Sequence, residues 1–398
     1  MSPRRRLPAP LTVAQILSSA AGAVPMLIGA VRMDAATFTG FGIVVLVSTL
    51  AVGASRAALL QPALLQRRTD PDARVPLWAM LTAAALAAVA AAGIAALVAR
   101  IDATGSVLIG VASALPVAHD WARYRAIGAG RRWAVALGDG IRLLGVSVTA
   151  LPFVAPRTTD FVIVMGVASL VAAVVVHVRT PAGPTGYPIR RYGRAAAWQT
   201  LDFVVGQFVV SVPLIVLAGA GADRAVGGVR LAQTLLGPLN LAFAATSTNI
   251  VADGATDAAY RSAAAVIARG RRAAVRLVML AGSGVALLLV VVVLTGISTR
   301  GVAHADLVLG IVLVGGSTIL TGWSGIHGIV LRVLGHQRAV TMARIGIAAV
   351  TVVGFIVGDA VGGERLSLIL GFGANALAAP ACFVPVAAAL YRRHGAQG

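Results

Sequence analysis

The chain contains no lysine, because all 33 of its basic residues are arginines. This absence excludes a Walker A phosphate-binding loop, a Schiff-base lysine and a Ser-x-x-Lys nucleophile pair, each of which needs the lysine amine. The single cysteine, Cys382, allows no intramolecular disulfide and no CxxC metal site. The six histidines are scattered, without an HExxH or related spacing. We therefore expect no catalytic residues, no metal site and no cofactor, and we interpret the protein as a non-enzyme.

Charged residues are also scarce, at 12% of 398 residues, whereas 58% are hydrophobic. A soluble globular domain has about 25% charged residues, so composition alone indicates a membrane protein. The formal net charge of +19 could suggest a nucleic-acid partner. The arginines, however, stand between apolar runs of membrane-spanning length. We therefore predict a multi-pass protein of the cell inner (cytoplasmic) membrane that binds no nucleic acid.

Twelve apolar segments follow one another along the chain. Each has about the 20 residues that cross a bilayer core. Their approximate limits are 11–31, 38–66, 75–99, 104–124, 133–155, 159–178, 196–220, 225–250, 273–298, 303–331, 338–358 and 364–391. The first resembles a signal peptide, but no small-residue cleavage site follows it, so we interpret it as a retained helix. This pattern predicts an all-α integral membrane protein with about 12 transmembrane helices.

The arginines orient these segments in the membrane. With a cytoplasmic N-terminus, 23 arginines fall in cytoplasmic stretches, 6 fall on the opposite side and 4 lie inside spans. The alternation holds at every loop, and cytoplasmic loops of membrane proteins carry the excess of arginine. Both chain ends are therefore predicted to be cytoplasmic.

A segment rich in proline, glycine and arginine divides the spans six and six. We predict an N-terminal six-helix bundle at 1–178, a cytoplasmic linker at 179–195 and a C-terminal six-helix bundle at 196–398. The motif R-x2-G-x2-R follows the fourth span of each half, at 125–131 and at 332–338. Six spans per half with the same motif at the same place indicate two parallel repeats. The alternative is that short Arg/Gly turns recur by chance.

Several ionisable side chains lie at membrane depth. Each costs about 2.5–3.5 kcal/mol there on insertion scales, so it normally faces protein or a wet cavity. Arg56 lies about 16 Å from the cytoplasmic end of the second span and has no acidic neighbour one turn away. Arg142 is about as deep in the fifth span, with Asp139 three residues earlier on the same helical face. With Asp202 in the seventh span, these positions predict a cationic pocket that opens to the cytoplasm.

Each of these residues also has a purely structural interpretation. Asp139 and Arg142 could simply neutralise one another. Arg230, near the external end of the eighth span, could snorkel to the interface. Three further polar residues are interpreted as interfacial caps, namely His119, Asp120 and His177.

Four stretches carry a resemblance to a known family. They are FTGFGIVVLVSTLAVGASRAALLQPALLQRR in the second span, GGVRLAQTLLGPLN in the eighth, RYRAIGAGRRWAVALGDGIRLL around Asp139, and LRVLGHQRAV after the tenth span. In this order, and with six spans in each half, they resemble the polysaccharide flippase branch of the multidrug/oligosaccharidyl-lipid/polysaccharide exporter (MOP) superfamily. The likeness extends over residues 10–390.

The resemblance implies a V-shaped pair of six-helix bundles that work by alternating access. It also implies an arginine-bearing cavity that accepts the pyrophosphate of a polyprenyl-linked saccharide. The corresponding substrate-binding residues here are Arg56, Arg142 and Arg230, while Asp139 or Asp202 would carry a coupling ion. The expected partners are an anionic lipid-linked saccharide, membrane lipids, H+ or Na+, and polysaccharide-assembly proteins.

Three other functions compete with the flippase. A multidrug or metabolite exporter of the same fold, coupled to H+ or Na+, would use Asp202 rather than Arg56. A membrane glycosyltransferase is disfavoured, because such enzymes place catalytic carboxylates in a sizeable external loop and the first loop here, 32–37, holds Asp34 alone. A non-transporting scaffold for cell-envelope assembly predicts that Arg56→Ala is harmless.

Overall fold

The computed structural model describes residues 10–66, 75–180, 193–240, 263–334 and 336–395, together with residues 242, 243, 246 and 250. These residues form helices joined by turns, and no strand occurs among them. Within the same ranges, nine helices are long and apolar enough to cross a membrane. The prediction of an all-α, multi-pass membrane protein is therefore confirmed.

Residues up to Phe203 form one compact unit, and residues from Val204 onward form a second. The helices of the first unit are α1 (Pro10–Arg32), α2 (Ala35–Ser55), a π-helical turn (Arg56–Leu60), α3 (Gln61–Gln66), α4 (Leu77–Leu97), α5 (Ala103–Gly128), α6 (Arg132–Ser147), a 3-10 turn (Val148–Ala150) and α7 (Thr158–Val178). Helix α8 (Gly193–Gly219) contains the division. The second unit continues with α9 (Asp223–Leu235), α10 (Ala263–Thr295), α11 (His304–Val333) and α12 (Gln337–Gly395).

Three helices explain why nine apolar spans are found where twelve segments were predicted. Helix α5 has 26 residues, enough to cross a bilayer, but it is not among the nine. Helix α12 consists of two helices separated at Gly362 and Gly363, where Gly363 has a φ of 70°. The Ser367 hydroxyl donates a hydrogen bond of 2.8 Å back to the Phe355 carbonyl, so the two halves of α12 lie side by side. Helix α9 lies in the remaining segment, the eighth, and part of that segment (241, 244, 245 and 247–249) is outside the described residues.

The fourth span is the central helix of each unit. Helix α5 packs against α4, α7 and α2, and α11 packs against α10, α12 and α9. Small residues allow these close approaches, as is usual between membrane helices. A Cβ on Gly110 would lie 2.7 Å from the Ala88 carbonyl oxygen, and one on Gly310 would lie 2.6 Å from the Gly228 carbonyl oxygen. The equivalent place of α5 and α11 supports the predicted parallel repeat.

Two predictions about organisation are left untested. Most of the predicted linker 179–195 lies outside the described residues, since 181–192 are not among them. The bundle boundaries at 178 and 196 therefore stay predictions, and so does the cytoplasmic placement of both chain ends.

Arg32, the last residue of α1, holds the connection between α6 and α7. Its Nη1 donates to the carbonyls of Thr149 (2.6 Å) and Leu151 (3.0 Å), and its Nη2 donates to that of Val154 (2.7 Å). The last carbonyls of a helix have no intrahelical partner. One guanidinium therefore satisfies three carbonyls at and just beyond the end of the fifth span.

Arg32→Ala is expected to destabilise the protein by about 2–3 kcal/mol, since hydrogen bonds to a charged group contribute about 1.5–3 kcal/mol. The temperature of thermal unfolding in detergent measures this effect. Arg157→Ala is the matched control, because the Arg157 side chain is exposed and forms no hydrogen bond in the described part of the chain. Equal shifts in the two variants would contradict the role given to Arg32.

Candidate functional site

The site begins at an irregular turn in the second span. The π-helical turn Arg56–Leu60 ends where the Gln61 N–H donates to the Arg56 carbonyl. The next residue, Pro62, has no N–H to donate, and its ring conflicts with the carbonyl four residues earlier in a regular α-helix. The wider turn relieves this conflict, as π-turns do where a helix is perturbed, often at functional positions. Arg56 is the first residue of this turn.

Arg56 forms a two-pronged ion pair with Asp120 of α5. Its Nε donates to Asp120 Oδ2 at 3.1 Å, and its Nη2 donates to Oδ1 at 2.7 Å. The guanidinium carbon lies 5.7 Å from the centre of the Tyr124 ring. Bidentate pairs of this kind fix geometry as well as charge. Nη1 of Arg56 has no hydrogen-bond partner within the described ranges.

A second arginine links two buried carboxylates. Arg123 Nη1 donates to Asp120 Oδ1 at 3.2 Å, and Arg123 Nη2 lies 3.0 Å from Asp139 Oδ2 of α6. His119 Nε2 lies 3.7 Å from the other oxygen of Asp139. Asp120 is 2% exposed and Asp139 is fully buried. Each carboxylate is thus paired inside the bundle rather than at its surface.

Arg142 completes this group, which we name the arginine–carboxylate cluster: Arg56, His119, Asp120, Arg123, Asp139 and Arg142. Arg142 is within electrostatic range of Asp139 and Arg123. Among the described residues it forms no hydrogen bond or ion pair, and its Nε is buried without a partner. With His119 neutral, three arginines face two aspartates, so the cluster carries one surplus positive charge.

Arg56 is more accessible than Arg123, the other arginine that pairs with Asp120. Its side chain is 34% exposed, against 9% for the side chain of Arg123. An anion can therefore reach Arg56 without displacing the buried pairs. The arrangement has the composition of an anion-binding site: accessible N–H donors, a surplus positive charge and a rigid support. In the described part of the chain, no group of three or more His, Cys, Asp or Glu side chains could hold a metal ion.

The fold itself matches solved structures over nearly its whole length. A multidrug resistance MATE family transporter of the MOP superfamily, in an inward-facing conformation, matches with a TM-score of 0.68 and 16% identity, covering 95% of this chain and 96% of that one. The lipid II flippase MurJ, in an inward closed conformation, matches with a TM-score of 0.66 and 11% identity over 95% and 87% of the chains. This chain has the MOP transporter fold.

A third MOP-fold protein, from Pyrococcus furiosus and described as having a binding pocket of reversed polarity, matches with a TM-score of 0.62 and 15% identity over 96% and 97% of the chains. No protein-family model and no curated protein sequence matches this chain. The predicted resemblance to the MOP superfamily is thus confirmed in the fold. MATE transporters and a lipid flippase both share it, so the fold does not single out the polysaccharide branch.

Within this MOP fold, the structure brings three of the five predicted site residues together in the cluster, namely Arg56, Asp139 and Arg142. The other two lie outside the pairs that form the cluster. Asp202 is buried in α8. Arg230 lies in α9 of the second unit, where it is buried and donates from Nη1 to Gln233 Oε1. The part of Asp202 and Arg230 in the predicted cationic pocket stays a prediction.

The structure also corrects the interpretation of α5. Asp120 and His119 are not interfacial caps, because both are buried in the cluster, while His177 is exposed and contacts Arg125 at 2.7 Å. Asp120 supplies the acidic partner that Arg56 lacks within its own helix. Arg123, rather than Arg142, is the ion-pair partner of Asp139. The sequence feature that could have predicted this part of the cluster is the dense run of charged residues at 119–125, which is unusual inside a span.

Proposed function

We propose that the protein is a secondary transporter that moves a polyprenyl-pyrophosphate-linked saccharide across the cytoplasmic membrane by alternating access, for cell-surface polysaccharide biosynthesis. The observation that carries this proposal is the surplus positive charge of the arginine–carboxylate cluster, presented by the accessible Arg56. A pyrophosphate offers several oxygens to a guanidinium, which binds them in a bidentate manner. Asp120 holds Arg56 in place before the substrate arrives.

The carboxylates give the proposal a means of coupling to ions. Protonation of Asp139 would remove one negative charge and raise the surplus charge of the cluster from one to two. The cluster would then attract an anion more strongly, and loss of the proton would favour its release. Since the sequence has no Walker A loop, we propose that an H+ or Na+ gradient or the membrane potential supplies the energy.

A multidrug or metabolite exporter is the second candidate. It is supported by the match to a MATE family multidrug transporter and by Asp202, a buried carboxylate outside the cluster. Such a carboxylate suits an organic cation better than a pyrophosphate. In this case, substitution of Asp202 rather than Arg56 would abolish transport.

The test is native mass spectrometry of the protein purified in mild detergent. We expect a co-purifying polyprenyl-pyrophosphate glycan in the wild type that disappears in Arg56→Gln. Arg132→Gln is the matched control, because Arg132 is an exposed arginine of the same unit outside the cluster. If all three proteins carry only bulk phospholipid, the flippase proposal fails, and drug efflux by wild type and Asp202→Asn becomes the next comparison.

A further inference from the structure

Helix α10 is longer than a bilayer requires. Its 33 residues extend over about 50 Å, whereas the hydrocarbon core is about 30 Å thick. Its first part carries the arginines Arg269, Arg271, Arg272 and Arg276. Of the nine apolar spans in the described ranges, α10 has the smallest buried share, 17% of its most apolar window. Most of the side chains in this window are therefore not covered by other parts of the described chain.

Two of these arginines have no partner among the residues that the structure describes. Arg272 and Arg276 are exposed, and neither forms a hydrogen bond or ion pair in the described part of the chain. They are four residues apart, so they are neighbours on one helical face, where like charges repel. Arg271 differs, because its guanidinium carbon lies 5.6 Å from the Tyr391 ring centre. An anion from outside the chain would relieve the repulsion between Arg272 and Arg276.

An apolar groove begins at Val275, three residues after Arg272 and next to Arg276. It lies between α10 and α11, has a volume of about 180 Å³, and is lined by Val275, Val278, Met279, Ile319, Leu320 and Trp323. Val275 follows Arg272 by three residues, and Met279 follows Arg276 by three residues. Residues at this spacing lie on the same face, so Arg272 stands at one end of the groove and Arg276 stands beside it.

We infer that this groove binds an anionic phospholipid, with its phosphate on Arg272 and Arg276 and an acyl chain against Val275, Met279 and Trp323. A charged end joined to an apolar groove matches the two parts of a phospholipid. Arginines next to a membrane span attract anionic lipids. In the predicted orientation, this end of α10 is cytoplasmic, so the lipid belongs to the cytoplasmic leaflet. The site does not depend on the transported substrate.

Tryptophan fluorescence tests this inference, because Trp323 lines the groove. The full-length protein is placed in phosphatidylcholine vesicles that contain either phosphatidylglycerol or phosphatidylcholine with brominated acyl chains, which quench nearby tryptophans. We expect stronger quenching by the brominated phosphatidylglycerol, and we expect Trp323→Phe to remove this excess. In R272Q/R276Q, the apparent affinity for phosphatidylglycerol should fall about thirtyfold, because each arginine contributes about 1 kcal/mol, while R272K/R276K should keep the excess.

The control is R131Q/R132Q, which removes two exposed arginines of the first unit and keeps the same change in net charge. It should retain the Trp323-dependent excess. Equal quenching by the two brominated lipids, or an excess that persists in Trp323→Phe or in R272Q/R276Q, would overturn the inference. If R131Q/R132Q lost the excess quenching to the same extent, the inference would also be overturned. The excess would then depend on the net charge of the protein rather than on Arg272 and Arg276.

Discussion

The double substitution R56Q/D120N is expected to leave a folded protein that transports about a hundredfold more slowly than the wild type. Both members of the ion pair are removed together, so neither charge is left buried and unpaired. The phosphate ligand is nevertheless lost. Two hydrogen bonds from a charged group contribute about 3 kcal/mol, which corresponds to a factor of about one hundred. The measurement is flipping of a polyprenyl-pyrophosphate glycan in proteoliposomes, with thermal unfolding as the check on folding.

The single substitutions separate the two proposed roles of Arg56, which are to pair with Asp120 and to bind the phosphate. R56Q alone leaves Asp120 with Arg123 as its remaining partner, so it should lower both stability and transport. D120N alone frees Arg56, so it should lower transport less than R56Q does. If R56Q/D120N transported at the wild-type rate, Arg56 would serve only to neutralise Asp120, and its proposed role as the phosphate ligand would be wrong.

Arg142→Gln is expected to raise the unfolding temperature while it lowers transport by about tenfold or more. A buried polar group without a partner costs about 1–3 kcal/mol, and the Arg142 Nε is such a group. Its removal also leaves two arginines facing two aspartates, which is a neutral cluster. Stability therefore improves, whereas the surplus charge proposed to attract the pyrophosphate is lost. Thermal unfolding and the same flipping assay measure the two effects.

Arg123→Gln is the comparison variant for Arg142→Gln. Arg123 pairs with both Asp120 and Asp139, so its loss should lower stability and transport together. We expect Arg142→Gln to raise the unfolding temperature but lower transport, and Arg123→Gln to lower both. This difference would show that the Arg142 charge serves transport whereas the Arg123 charge serves stability. A decrease in stability in both variants would show that Arg142 is needed for folding, contrary to the proposal.

The membrane helices could be predicted from the sequence, because a bilayer demands long apolar segments and leaves few other solutions. The depth of Arg56 and Arg142 followed from the same reasoning, since the rise per residue is constant. The partner of Arg56 could not be predicted in this way. Asp120 is 64 residues distant in the chain, and their meeting depends on how α5 packs against the second span.

The π-helical turn was beyond sequence reasoning for a different reason. Pro62 signals a perturbed helix, but a proline is compatible with a kink, a break or a wider turn. Only the packed structure selects the wider turn. Arg123, at the end of the predicted segment 104–124, was one of the 23 arginines counted as cytoplasmic, but the structure buries it between two aspartates.

The turn Arg56–Leu60 has a mechanical consequence. A π-turn contains one residue more than the α-helical turn that it replaces. If the π-turn moves along the helix by one residue, the side chain at the position it leaves rotates about the helix axis. The rotation is about 100°, the angle between successive residues of an α-helix. The helical segments on either side keep their places. Arg56 could thus exchange Asp120 for another anion by a local change of helical winding, without any rigid-body movement of α2.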